Sequence, residues 1–161
     1  MWRRGLLVAG GVFALDQLTK WVILTQVMDP PTTIPVTGFF ELVLAWNRGV
    51  SFSMFASDWG PQPYVLAGLA LAVSLGLAIW LRKADSWIMA AGLGAIIGGA
   101  VGNAVDRLRL GAVVDFLHFH WNEYYFPAFN IADSAITVGV GLLLLDGLFG
   151  NLGRPKPRPR P

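Results

Sequence analysis

Four apolar stretches, each long enough to cross a bilayer as a helix, constrain this chain more than any other feature. A spanning helix takes about 20 mostly apolar residues. Residues of about 6–28, 64–81, 86–107 and 130–149 meet that requirement, and the stretch Tyr64 to Leu81 carries no charge at all. Composition agrees. Only 14% of the 161 residues are charged and the mean hydropathy is +0.56, whereas a soluble domain carries about 25% charge. The expected fold is an all-α membrane protein of four transmembrane helices with a small extracytoplasmic β-sheet segment, the whole of 1–161 forming a single membrane domain.

The first stretch follows Arg3 and Arg4, as a cleavable signal peptide would. It is too long for one, Asp16 and Lys20 interrupt its centre, and no small-residue cleavage site follows. It reads as a retained helix. Loop charge then sets the topology. Arg3, Arg4, Arg82, Lys83, Arg154, Lys156, Arg158 and Arg160 fall on one side of a four-span chain, and Arg48, Arg107 and Arg109 on the other. Both termini are predicted cytoplasmic, and the two long connections face outward. The tail of 154–161 alternates proline with a basic residue. It cannot form a helix and reads as a topology anchor touching anionic lipid.

Cysteine is absent, which excludes disulfides, thiolate metal sites and a cysteine nucleophile. A net charge of +2 gives no argument for a nucleic-acid partner. In the third stretch Gly94, Gly98 and Gly102 recur every four residues, a pattern that lets helix backbones approach closely. In the first outer connection Phe40, Leu42, Leu44 and Trp46 alternate with Phe39, Glu41, Val43 and Ala45. That is strand periodicity. Asn47-Arg48-Gly49 follows as a turn and Val50 to Phe55 as a returning strand, for a β segment of about 36–55. The second connection holds an aromatic run from Phe116 to Phe126. It suits the headgroup region, as an anchor or as a platform or lid for an interfacial substrate.

Polar residues collect at the outer face. At about 1.5 Å of rise per residue, Asn103, Asp106 and Arg107 reach the outer end of the third helix and, spaced i, i+3, i+4, share one face. Asn130 and Asp133 occupy the outer end of the fourth, and Asp115 lies in the connection between them. Singly, Asp106 with Arg107 reads as an ion pair closing a helix, and Asp133 as a partner of a helix dipole. Converging, they read as a site, because ionisable groups at membrane depth face a partner or a cavity. Two carboxylates sharing a proton can hydrolyse a peptide bond, one activating water while the other hydrogen-bonds the substrate carbonyl. The chain contains neither G-x-S-x-G nor H-E-x-x-H. His118 and His120 could supply two metal ligands with Asp115 or Glu123, although two histidines among aromatics are more often interfacial. Asp16 and Lys20, at i, i+4 and with Asp16 near the expected midplane, read as a clamp between helices. A small transporter using that pair is the alternative from another class, and no internal repeat accompanies it.

Five ordered blocks sharpen this reading: Asp16-Gln17-Leu18-Thr19-Lys20; Asn47-Arg48-Gly49-Val50-Ser51-Phe52; residues 98–107, ending Asn103-Ala104-Val105-Asp106-Arg107; Val113-Val114-Asp115-Phe116; and Phe129-Asn130-Ile131-Ala132-Asp133-Ser134. With them the chain resembles bacterial lipoprotein signal peptidase, signal peptidase II, over nearly its whole length. The resemblance implies an aspartic endopeptidase that removes the signal peptide from prolipoproteins, cutting before a cysteine that already carries diacylglycerol. By the same resemblance Asp115 and Asp133 form the catalytic dyad. Asn47, Asn103, Arg107 and Asn130 contact substrate or orient the dyad, while Asp16, Lys20 and Asp106 support it. It implies no metal or organic cofactor, since water is the nucleophile. The implied partners are the lipid-modified prolipoproteins, membrane lipid and cyclic peptide inhibitors of the globomycin type.

Overall fold

The computed structural model describes residues 1–49 and 60–149. The expected return strand Val50 to Phe55 and the basic tail of 154–161 lie outside the described residues. Four helices are long and apolar enough to cross a membrane. They are α1 (Trp2–Val22), α2 (Gln62–Leu81), α3 (Trp87–Leu110) and α4 (Ile131–Phe149), with α1 prolonged by one wide π-helical turn, Ile23–Val27.

The four helices share the work unequally. In α3, 67% of the most apolar window is buried inside the protein, against 22% in α1, 17% in α2 and 11% in α4. The central helix is therefore α3, and the other three pack around it with leucine and valine faces turned outward. Lipid is as apolar as those side chains, so burial from water cannot hold helices together inside a bilayer; close packing must. The glycine stripe supplies it. A Cβ on Gly98 would stand 2.5 Å from the carbonyl oxygen of Ala9, and Gly94 lies equally tight on Gly5, so this stripe receives α1. The adjoining glycines face α4, where a Cβ on Gly99 would meet the Ala132 carbonyl oxygen at 2.5 Å. Ser86 caps the start of α3 by accepting from the Met89 N–H (2.9 Å) and donates to Asp146 of α4 (2.7 Å), tying the two helices at the end far from the sheet.

At the opposite end lies a four-stranded antiparallel sheet of β1 (Ile34–Thr37), β2 (Phe40–Asn47), β3 (Val113–Trp121) and β4 (Tyr124–Tyr125), in that order. The alternation in 40–46 is β2. Its long partner is β3, drawn from the aromatic run, with Ala45 opposite Asp115 and Asn47 opposite Val113. The aromatic run is thus strand and hairpin, with Asn122 taking the left-handed conformation (φ 51°) at the turn. Its pattern conceals this, since aromatics occupy both faces and erase the alternation that marks a half-buried strand. Phe116 packs with Ile23 and Met28 beneath the sheet, flanked by Ile34, Leu42, Leu44 and Ile131. Outside the hydrocarbon region this burial is true hydrophobic stabilisation, about 1.5–3 kcal/mol for each large side chain.

Candidate active site

Two helix ends and one strand bring the polar residues together. Gly111 ends α3 in the left-handed conformation (φ 74°), its N–H closing on the Arg107 carbonyl oxygen at 3.1 Å. The chain reverses there into β3, so that Asp115 lies back over the end of α3. Helix α4 starts at a reciprocal cap. The Asp133 N–H donates to Asn130 Oδ1 (2.9 Å), and the Asn130 N–H donates to Asp133 Oδ2 (3.2 Å). That cap locks Asp133 into the first turn, pointing back toward the sheet.

The two carboxylates are joined through two asparagines. Asn130 Nδ2 donates to Asp115 Oδ1 (2.7 Å) and also lies within 3.2 Å of Asn103 Oδ1, while Asn103 Nδ2 donates to Asp133 Oδ1 (2.8 Å). The remaining Asp115 oxygen accepts from Asn47 Nδ2 at 3.1 Å. Asp115 is only 2% exposed and Asn130 fully buried, whereas Asp133 is half-buried. Burial pushes the Asp115 carboxyl up from its ordinary 3.8 to about 7, and the charge of Asp133 pushes the same way. Hydrogen bonds from Asn47 and Asn130 and the nearby Lys20 cation pull it partly back. A carboxylic acid poised near neutrality beside a second carboxylate can give or take a proton at physiological pH.

Beneath this pair lies a second cluster. Lys20 Nζ is 2.9 Å from Asp16 Oδ2, 2.7 Å from Asp106 Oδ2 and 3.0 Å from Asn103 Oδ1. Asp16 Oδ1 accepts from the Ala132 N–H (3.0 Å) and Asp106 Oδ2 from the Val114 N–H (3.2 Å), tying α1 to α4 and α3 to β3. The helix-1 pair is thus a three-way ion cluster. Asp106 faces Lys20 across the interface with α1, in place of the ion pair with Arg107. Asp16 lies level with the first turn of α4, where the Ala132 N–H meets its carboxylate. Arg107 reaches outward, with Nη2 on the Gly49 carbonyl oxygen (2.7 Å) and Nη1 on that of Asn103 (3.3 Å). It holds the turn that follows β2, itself closed by the Gly49 N–H on Asn47 Oδ1 at 3.0 Å.

One participant had no role in the sequence reading. Gln17 Nε2 donates to Asp106 Oδ1 (3.0 Å) and lies 3.2 Å from Asp16 Oδ2. Adjacent helical residues point apart, so spacing along α1 hides that both reach α3, Gln17 at Asp106 and Asp16 against Gly102. Gly102 is a second case, since a Cβ there would stand 2.6 Å from Asp16 Oδ2. The stripe of small residues makes room for a carboxylate as well as a backbone. His118 bonds Glu41 across β2 and β3 (2.8 Å) and stacks on Tyr125, as His120 does. Among the described residues no three histidine, aspartate, glutamate or cysteine side chains come close enough to hold a metal ion.

A family model described as signal peptidase (SPase) II matches residues 8–149. The chain belongs to the signal peptidase II family. It is an aspartic peptidase of family A8, whose members cleave signal peptides from prolipoproteins. Among curated relatives, the lipoprotein signal peptidase of an Azoarcus species is 49% identical, over 97% of this chain and 88% of that one. That of Rhodopseudomonas palustris is 48% identical, over 92% and 93%. The Pseudomonas aeruginosa enzyme is 43% identical, over 84% and 82%. Two solved bacterial membrane enzymes share the fold. One has a TM-score of 0.79 at 26% identity, covering 97% of this chain and 94% of that one, and the other 0.76 at 28%, covering 91% and 94%. The shared fold includes both the four-helix frame and the sheet that carries Asp115.

Proposed function

We propose that Asp115 and Asp133 are the catalytic pair of this peptidase, and that the scissile bond of a diacylglyceryl-modified prolipoprotein lies between them. The observation that carries this reading is the bridge itself: carboxylates from β3 and α4, turned toward one another by Asn130 and Asn103, with Asp115 held near neutrality. One carboxylate takes a proton from water as the water attacks the carbonyl carbon. The other, protonated, hydrogen-bonds the carbonyl oxygen and stabilises the charge that develops there. The proton then passes to the leaving nitrogen. Asn47, Asn103 and Asn130 orient the pair, and Arg107 holds the turn after β2 against the site. Asp16, Lys20 and Asp106 support it from below, all within one membrane domain.

The lysine and arginine distribution supports an extracytoplasmic site with both termini in the cytoplasm. A signal helix lying in the membrane then presents its C-terminal end, and the lipidated cysteine after the scissile bond, at the level of the sheet. The aromatic surface of Phe39, Phe119, Trp121, Tyr125 and Phe126 lines an open groove of about 550 Å³, a platform suited to an interfacial, lipid-bearing substrate. Cyclic peptide inhibitors of the globomycin type are expected to compete for the region between the carboxylates.

The test converts each aspartate singly to asparagine and follows signal-peptide release from a diacylglyceryl prolipoprotein in detergent. Loss of at least about 10³-fold in kcat is expected of each. Near wild-type turnover in either variant overturns the assignment.

A further inference from the structure

The bonds around Asn103 run in one direction, and Lys20 sets that direction. An asparagine amide has a donor end and an acceptor end, and turning it over exchanges them. Asn103 Oδ1 meets Lys20 Nζ at 3.0 Å and Asn130 Nδ2 at 3.2 Å, and its Nδ2 meets Asp133 Oδ1 at 2.8 Å. An ammonium group has no acceptor. Were Asn103 turned over, its NH2 would face two donors and its oxygen would face a carboxylate, all in a buried space. Lys20 cannot yield, since Asp16 and Asp106 grip it at 2.9 and 2.7 Å and it is 2% exposed.

We propose that Lys20 is a positioning residue for the peptidase reaction: a donor-only cation that fixes the amide of Asn103, and through it the hydrogen bond received by Asp133. This rests on the reading of Asp115 and Asp133 as the catalytic pair, and it gives the ion cluster a task beyond joining helices. The same ammonium places one positive charge next to the pair. Among the described residues, the charged groups acting on the pair are Asp16 and Lys20 from α1 and Arg107 from α3, with Asp106 of α3 behind Lys20; β2 contributes the neutral Asn47. Removing the cation leaves the anions dominant, so the carboxylates ionise at higher pH. Removing Asp106 leaves the cation less opposed, so they ionise at lower pH. The two substitutions therefore act in opposite directions.

The experiment measures kcat and KM against pH for a diacylglyceryl prolipoprotein peptide in micelles, with wild-type protein, Lys20→Met, Lys20→Arg and Asp106→Asn. Folding is checked by size exclusion and thermal unfolding. Lys20→Met is expected to move the kcat profile alkaline by about one pH unit, the size of a neighbouring-charge effect, and to lower kcat with KM within about threefold. Asp106→Asn is expected to move the profile acid, and Lys20→Arg to restore its position. If Lys20→Met does not fold, the acid shift of Asp106→Asn carries the test alone. Folded variants whose profiles overlay the wild type, whatever their rates, overturn the proposal. If the Asp115 and Asp133 variants are inactive while these profiles stay fixed, this inference alone fails; active aspartate variants remove the dyad reading as well.

Discussion

The protein sets two pairs of carboxylates side by side at one end of its helix frame, and treats them in opposite ways. Asp16 and Asp106 share the ammonium of Lys20, and backbone N–H groups of Ala132 and Val114 complete them. Asp115 and Asp133 receive neutral donors: Asn47 and Asn130 on one, Asn103 and the Asn130 N–H on the other. A buried carboxylate bound to a cation becomes structure. One held by amides in a poorly solvated place keeps the option of a proton. Arg107, the other cation nearby, directs its Nη atoms to backbone carbonyls. The contrast teaches that the partner, more than burial, separates a scaffold acid from one that can do chemistry, since Asp106 and Asp115 are equally hidden at 3% and 2% exposure.

Substitutions in the two pairs should therefore have opposite consequences for stability. The largest change is expected at the cation. Lys20→Met leaves two buried carboxylates without their counter-charge, a loss of about 3–5 kcal/mol, measurable as a fall in the unfolding midpoint in detergent. A Lys20→Met protein as stable as wild type would show that the cluster is dispensable and would break the comparison.

The next effect depends on pH. With its carboxyl raised to about 7, folded Asp115 holds a proton that the unfolded chain releases near its ordinary 3.8. Stability should then fall as pH rises between about 4 and 7, by at most ~1.4 kcal/mol per pH unit from this group. Asp115→Asn should flatten that slope and leave the protein inactive. A slope unchanged in the variant assigns the pH dependence to another group. The smallest effect is expected where the clusters touch the helix frame. Gly102→Ala sets a methyl 2.6 Å from Asp16 Oδ2, and should cost about 1–3 kcal/mol with no shift in the pH profile of turnover. Thermal unfolding and the profile together check it.

Much of the site was legible before any coordinates. Asn103, Asp106 and Arg107 follow one another on a helix, and Asn130 and Asp133 share a first turn; such spacing is fixed by 3.6 residues per turn. Less was legible where partners come from different elements. Asp106 sits beside Arg107 in the chain yet bonds Lys20, 86 positions away in α1, because its side chain points into the interface that the glycine stripe closes. The aromatic strand β3 stayed hidden because aromatics stand on both its faces and erase the alternation, and Gln17 because adjacent helical residues diverge.

Sequence alone determined the membrane spans, the strand at 40–46 and the residues that gather at one end. These depend on local periodicity and on the cost of placing polar groups in lipid, which act whatever the rest of the chain does. Tertiary structure alone decided which carboxylates meet a cation and which meet amides. That depends on where α3 presses its glycines against α1 and α4, and on where Gly111 turns the chain so that β3 delivers Asp115 to Asn130. A hydrogen bond or an ion pair acts over about 3 Å, and only packing brings residues from α1, β2, α3, β3 and α4 within that distance.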